Sequence, residues 1–157
     1  MSDKLYWQQK ILEEIPLCRA MGLTINRLNQ LSIEVQAPLA KNINGHATGF
    51  AGSIYTLAIA AGWTLLSYSA QQANLTYPVV AGKATIKYNK PITTDFVASC
   101  YLSTSKQSAN ELYSQWLGRL KSNRSVRIPL SIGICEINQP IDSHAAIVNA
   151  DYYLTIK

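Results

Sequence analysis

At 157 residues the chain is long enough for one domain of ordinary size with a substantial core. Hydrophobic residues make up 48% and charged residues only 15%, against the roughly 25% usual for soluble domains, a deficit that points to surface covered by another subunit. Net charge is +5, but the cations are scattered, with no dense run and no DNA- or RNA-binding signature, so a nucleic-acid partner is not expected. The same positive field suits a small phosphorylated ligand. Cys18, Cys100 and Cys135 are odd in number, far apart and set among apolar neighbours, which argues for reduced buried thiols and against disulfides or a metal site.

In chain order, Lys4 to Ile15 has helical spacing of Leu5, Trp7, Ile11, Leu12 and Ile15, with Ser2 or Asp3 as its cap and Pro16 as its end or a kink. Met21 to Leu28 and Leu31 to Ala37 alternate as strands, joined at Asn29-Gln30. Pro38 closes this hairpin, and a loop from Asn42 to Thr48 leads into a long apolar run. The polar stretch Ser67 to Tyr77 is expected to carry the chain out of that helix before Pro78. Val79 to Asn89 reads as a strand with Ala84, Ile86 and Tyr88 on one face and Lys83, Thr85 and Lys87 on the other. Pro91 to Asp95 forms a turn before a strand over Phe96 to Ser103. Ser108 and Glu111 form a capping-box pattern ahead of Leu112, Trp116 and Leu120, predicting a second, more exposed helix to Lys121. Val126 to Ile137 and Ala145 to Ile156 then read as two strands across a turn at 138–142. No repeat, linker or low-complexity tract interrupts the chain, so residues 1–157 are expected to form one domain.

The stretch from Asn42 to Tyr68 organises the rest. Ile54, Leu57, Ile59, Trp63, Leu65 and Leu66 fall on nearly every side of a helix, and a helix apolar all round is buried. A membrane span is disfavoured: Ser53, Thr56 and Thr64 interrupt a run that must supply about 20 predominantly apolar residues. No charged, then apolar, then small-residue leader stands at the N-terminus, and a cytoplasmic protein is expected. The first turn of such a helix leaves backbone N–H groups without partners, and Gly49, Ala51 and Gly52 leave room for a ligand oxygen to reach them. Late antiparallel strands beside a helix apolar on all sides require a sheet that wraps it, an α+β arrangement.

Asn42-x-Asn44, then Thr48-x-Phe50-Ala51-Gly52-Ser53-x-Tyr55, the Ala61-Gly62-Trp63 triplet and the later Ile86-Lys87-Tyr88-Asn89-Lys90-Pro91-Ile92 together resemble the putative-thioesterase family of hotdog-fold proteins, also found fused behind GNAT acetyltransferases. The resemblance runs from about Ile15 to Ile156. Ala51 stands where the family usually has the first glycine of a pair, and Thr94 where a glycine often precedes Asp95. It implies a hotdog fold, an antiparallel sheet around a long central helix, and hydrolysis of acyl-CoA or acyl-carrier-protein thioesters by a homodimer or a dimer of dimers. No cofactor or metal is implied beyond the coenzyme A or phosphopantetheine of the substrate.

Thioester hydrolysis needs a water aimed at the carbonyl and donors for the developing oxyanion; helix N-terminal N–H groups at Gly49, Ala51 and Gly52 would supply the donors. Better-known hotdog enzymes add a carboxylate, or a His with a carboxylate, but Ile54 to Gly62 contains none. Asn42 and Asn44 are candidates for positioning the water or the carbonyl, with loop capping as the alternative. His46 is the titrating group in the key loop, and Ser53 could bond a substrate oxygen or merely cap the helix. No Gly-x-Ser-x-Gly elbow supports a serine nucleophile, and His144 beside Asp142 reads as a turn residue. Lys83, Lys87, Lys90 and Arg127 are candidates for coenzyme A phosphates, though any solvated strand face would look alike. The alternative is a non-catalytic acyl-CoA binding or regulatory module; a dehydratase would lack its His and carboxylate pair.

Overall fold

The computed structural model describes residues 3–102, 108–122, 124–140 and 142–155. Ser2 as a cap, Ser103 and Ile156 as strand ends, and Ile141 in the last turn lie outside the described residues. In chain order the elements are α1 (Asp3–Glu14), α2 (Pro16–Met21), β1 (Thr24–Leu28), β2 (Ser32–Ala37), α3 (Ala51–Gln72), β3 (Val79–Tyr88), β4 (Phe96–Tyr101), α4 (Ala109–Lys121), β5 (Val126–Glu136) and β6 (Ala146–Leu154). A short 3-10 turn covers Leu39–Lys41. The strands form one six-stranded antiparallel sheet in the order β1-β2-β4-β5-β6-β3.

The sheet wraps α3. Ile54, Leu57, Ala58, Ala61, Leu65 and Leu66 of the helix are buried against inward residues that alternate along the strands, such as Ile128, Leu130, Ile132 and Ile134 of β5. Three side chains stitch the helix to the far side of the sheet: Tyr88 Oη donates to Ala51 O (2.8 Å), Tyr152 Oη to Ile59 O (2.8 Å) and Trp63 Nε1 to Val79 O (3.2 Å). On β3, Ala84 and Ile86 are half-buried while Lys83, Thr85 and Lys87 are exposed, as the alternation predicted. The capping box of α4 is present, with Glu111 N–H donating to Ser108 Oγ and Ser108 N–H to the Glu111 carboxylate.

Two boundaries differ from the sequence reading by more than one residue. Met21 to Leu23 is not strand, because Pro16 opens a further helix, and Gly22 ends it at φ 71° with a Schellman pattern: Gly22 N–H to Arg19 O and Leu23 N–H to Cys18 O. The central helix does not end at Ser67 but runs to Gln72. Tertiary contacts override the weak local preference there: Tyr68, Ser69 and Ala70 are buried, Ser69 Oγ donates to Gln30 O (2.8 Å), and Tyr68 Oη donates to the Asp3 carboxylate (3.1 Å).

The two sheet edges are treated differently. At β1 the Gln8 side chain lies along the strand, donating to Leu23 O and accepting from Ile25 N–H. At β3 only the β6 side is paired among the described residues, and Val80 and Tyr88 stand exposed.

Candidate active site

The loop before α3 is a small closed hairpin. Ile43 and Gly49 form an isolated bridge, Asn44 N–H donates to Thr48 O (2.8 Å), and Ala47 takes the left-handed conformation at φ 61°. Asn44 holds this turn from within: its Nδ2 donates to Thr48 Oγ1 (2.9 Å), and its Oδ1 accepts from the N–H groups of His46 (2.8 Å) and Thr48 (3.2 Å). Asn42 is buried and anchors the loop to the body, its Nδ2 donating to Met21 O (2.9 Å) and Pro38 O (2.8 Å) while its Oδ1 is buried without a partner. Both ends of the Asn44 amide and the Nδ2 of Asn42 thus serve the loop, while Asn42 Oδ1 keeps its acceptor capacity. His46 is exposed and joins the turn through its backbone N–H, which leaves its imidazole outside the cluster.

The backbone sorts the expected oxyanion donors. Gly49 N–H is taken by Ile92 O (2.8 Å) and Phe50 N–H by Asn42 O (2.7 Å), so Gly49 is not an open donor as the sequence suggested. A crossing segment fills its valence, which no local pattern reveals. The first intrahelical bond is Ile54 N–H to Phe50 O (3.1 Å), and α3 has no side-chain cap. Ala51, Gly52 and Ser53 therefore carry the N–H groups that a helix start leaves without intrahelical acceptors. Ser53 stands at the third helical position, so its hydroxyl is not the cap.

A cleft of about 350 Å³ opens at this helix start, lined by Thr48, Gly49, Ala51 and Ile54 on one side and by residues 88–92 on the other. Its lining brings Tyr88 and Lys90 to the site, with Lys90 Nζ donating to Ser143 Oγ (2.9 Å). Burial, with the neighbouring Tyr55 phenol second, holds the Tyr88 phenol above its ordinary pKa, so it stays a donor. The other candidate cations are elsewhere. Lys83 and Lys87 lie on the outer face of β3, and Arg127 is ion-paired with Asp151 at 2.9 Å near the opposite end of the sheet. His144 packs its ring across Gly133 on β5 and does not line the cleft. Sequence reasoning missed Tyr88 as a site residue. The available signal was its place on the same strand face as Ala84 and Ile86, which is the face toward the helix.

Cys18, Cys100 and Cys135 are all buried, and burial pushes the thiol pKa up to about 11 for Cys18 and about 12 for Cys100. No helix among the described residues is long and apolar enough to cross a membrane.

The family described as "Putative thioesterase (yiiD_Cterm)" matches residues 5–152, nearly the whole chain and all of the cleft. The chain belongs to this family. Membership carries with it the activity expected from the motif, that of a thioesterase, a hydrolase acting on thioesters. The hotdog fold is shared with solved structures. A putative thioesterase from Shewanella oneidensis is 24% identical with TM-score 0.81, covering 98% of this chain and 97% of that one. Thioesterase superfamily member 2 from Mus musculus is 13% identical with TM-score 0.70, covering 98% of both chains. The PaaI protein of the phenylacetic acid degradation operon of E. coli is 17% identical with TM-score 0.67, covering 99% of this chain and 96% of that one. In this thioesterase-family chain Ala51 of the uncapped helix start lines the cleft, while the described cleft lining carries no carboxylate or imidazole.

Proposed function

We propose that this member of the thioesterase family hydrolyses acyl-CoA or acyl-carrier-protein thioesters in the cleft at the start of α3, as a cytoplasmic homodimer. The observation that carries this reading is the uncapped helix start opening on a cleft between the Asn42 loop and residues 88–92. A thioester carbonyl seated there meets the N–H groups of Ala51 and Gly52, which are fixed in place by the helix and favour negative charge. Water adds to the carbonyl carbon, the oxyanion gathers on those donors, and the C–S bond breaks. The proton given up by the water leaves with the thiolate as free thiol. Lys90 in the cleft lining supports a contact with a phosphate of the pantetheine carrier.

The homodimer reading rests on the open edge of β3 and on a half-buried stripe of α3, Tyr55, Ile59 and Trp63, on the same side of the molecule. Joining two β3 edges would pair their free backbone groups and cover that stripe. Light scattering tests it: a stable monomer at micromolar concentration refutes the dimer.

The absence of a carboxylate or imidazole from the described lining favours a second reading, a module that binds acyl-CoA without turning it over. Release of free thiol from a panel of acyl-CoA and acyl-carrier-protein thioesters separates the two. Saturable release supports the thioesterase reading, and tight binding with no release supports the module.

A further inference from the structure

Tyr88 ends β3 on the side facing the helix, and its hydroxyl crosses to Ala51 O at 2.8 Å. The carbonyl of Ala51 and the N–H of Gly52 belong to one planar peptide unit, so a bond that fixes the first also fixes the direction of the second. Donation into a carbonyl also polarises its amide, strengthening the N–H as a donor by roughly 10–30% per bond. β3 has further anchors besides this contact. Trp63 Nε1 ties Val79 at the other end of the strand, the β6 ladder spans its length, and Tyr88 itself is 46% exposed. An exposed tyrosine whose hydroxyl reaches the first peptide of the central helix, on the wall of the cleft, has its effect at the cleft.

We propose that Tyr88 is a positioning residue for thioester hydrolysis: through Ala51 O it orients and polarises the Ala51–Gly52 peptide, whose N–H receives the oxyanion. This rests on the thioesterase reading given above. The residue acts through the peptide and not on the substrate, so its loss changes the transition state more than substrate binding.

Tyr88→Phe removes the hydroxyl and keeps the ring. The expected result is a fall in kcat of roughly tenfold, below the hundredfold or more of losing an oxyanion donor outright, with KM and Tm unchanged. In the free protein, the Gly52 amide and Ala51 carbonyl NMR resonances move more than those of any other helix residue. Equal kcat in the variant overturns the proposal. So does a parallel loss of kcat and Tm with the Gly52 amide unmoved, which would make Tyr88 a strut. A wild-type chain that releases no thiol from any thioester overturns the thioesterase reading instead, and the role assigned to Tyr88 falls with it. A wild type that turns over normally alongside an equally active Tyr88→Phe overturns this proposal alone.

Discussion

Gly62→Ala puts the wrapped-sheet packing to a test of sign. In the interior of an exposed helix this change stabilises by about 1 kcal/mol, because glycine loses more backbone entropy on folding. Here the added Cβ would stand 2.4 Å from Tyr152 Oη, 2.6 Å from Cζ and 2.8 Å from Cε2. Tyr152 has no exposed surface and its hydroxyl is committed to Ile59 O at 2.8 Å, so the ring cannot retreat without breaking that bond in a dry interior. Overpacking costs about 1–3 kcal/mol, and a stranded buried hydroxyl or carbonyl another ~1–3 kcal/mol. Against the helix-propensity gain the net effect is destabilisation of roughly 1–5 kcal/mol, a fall in Tm of about 3–15 °C for a chain of this size. Thermal unfolding followed by circular dichroism, with a urea titration beside it, reads the change. In a Tyr152→Leu background, which takes the ring away, the same substitution becomes neutral or stabilising. A Tm for Gly62→Ala at or above wild type would refute the reasoning, since Tyr152 would then not lie across the helix.

Other expectations follow from single contacts. Ala47 sits in the left-handed region at φ 61° on an exposed turn, so Ala47→Gly should stabilise by about 0.5–1 kcal/mol, read as a small rise in Tm; a lower Tm would contradict the strained turn. Buried Cys18 and Cys100, with thiol pKa values pushed up to about 11 and about 12, should resist a thiol reagent at neutral pH and react fully in guanidinium; rapid native labelling of both would contradict their burial. Lys90→Ala should raise KM for acyl-CoA several-fold at low salt, whereas Arg127→Ala, about 23 Å away along β5 and held by Asp151, should leave it unchanged. Equal effects of the two would detach the carrier phosphates from the cleft.

What was legible in the sequence was whatever short-range chemistry decides. The all-round apolar face of Ile54 to Leu66 forces burial, the Ser108 and Glu111 pair caps its own helix, and alternation on β3 assigns its faces without help from elsewhere. Long-range bonds decided the rest. Ser69 and Tyr68 look like exit residues, yet they stay helical because their hydroxyls reach Gln30 and Asp3. Gly49 looks like an open donor until Ile92 crosses to accept its N–H. Asn42 and Asn44 offer the same amide chemistry to a substrate and to a turn, and only the positions of Met21, Pro38 and Thr48 show that the loop uses it. Tyr88 was visible as part of a strand motif, but its partner lies 37 residues earlier, beyond the reach of any pattern along the strand.

The central claim is that the thioester carbonyl binds at the start of α3. A crystal structure with an acyl-CoA analogue whose sulfur is replaced by methylene, which keeps the carbonyl and cannot be hydrolysed, tests it most directly. The account predicts the carbonyl oxygen about 2.7–3.1 Å from the N–H groups of Ala51 and Gly52, with residues 88–92 along its flank. An analogue bound with its carbonyl elsewhere on the sheet, and these N–H groups facing only water, would contradict it.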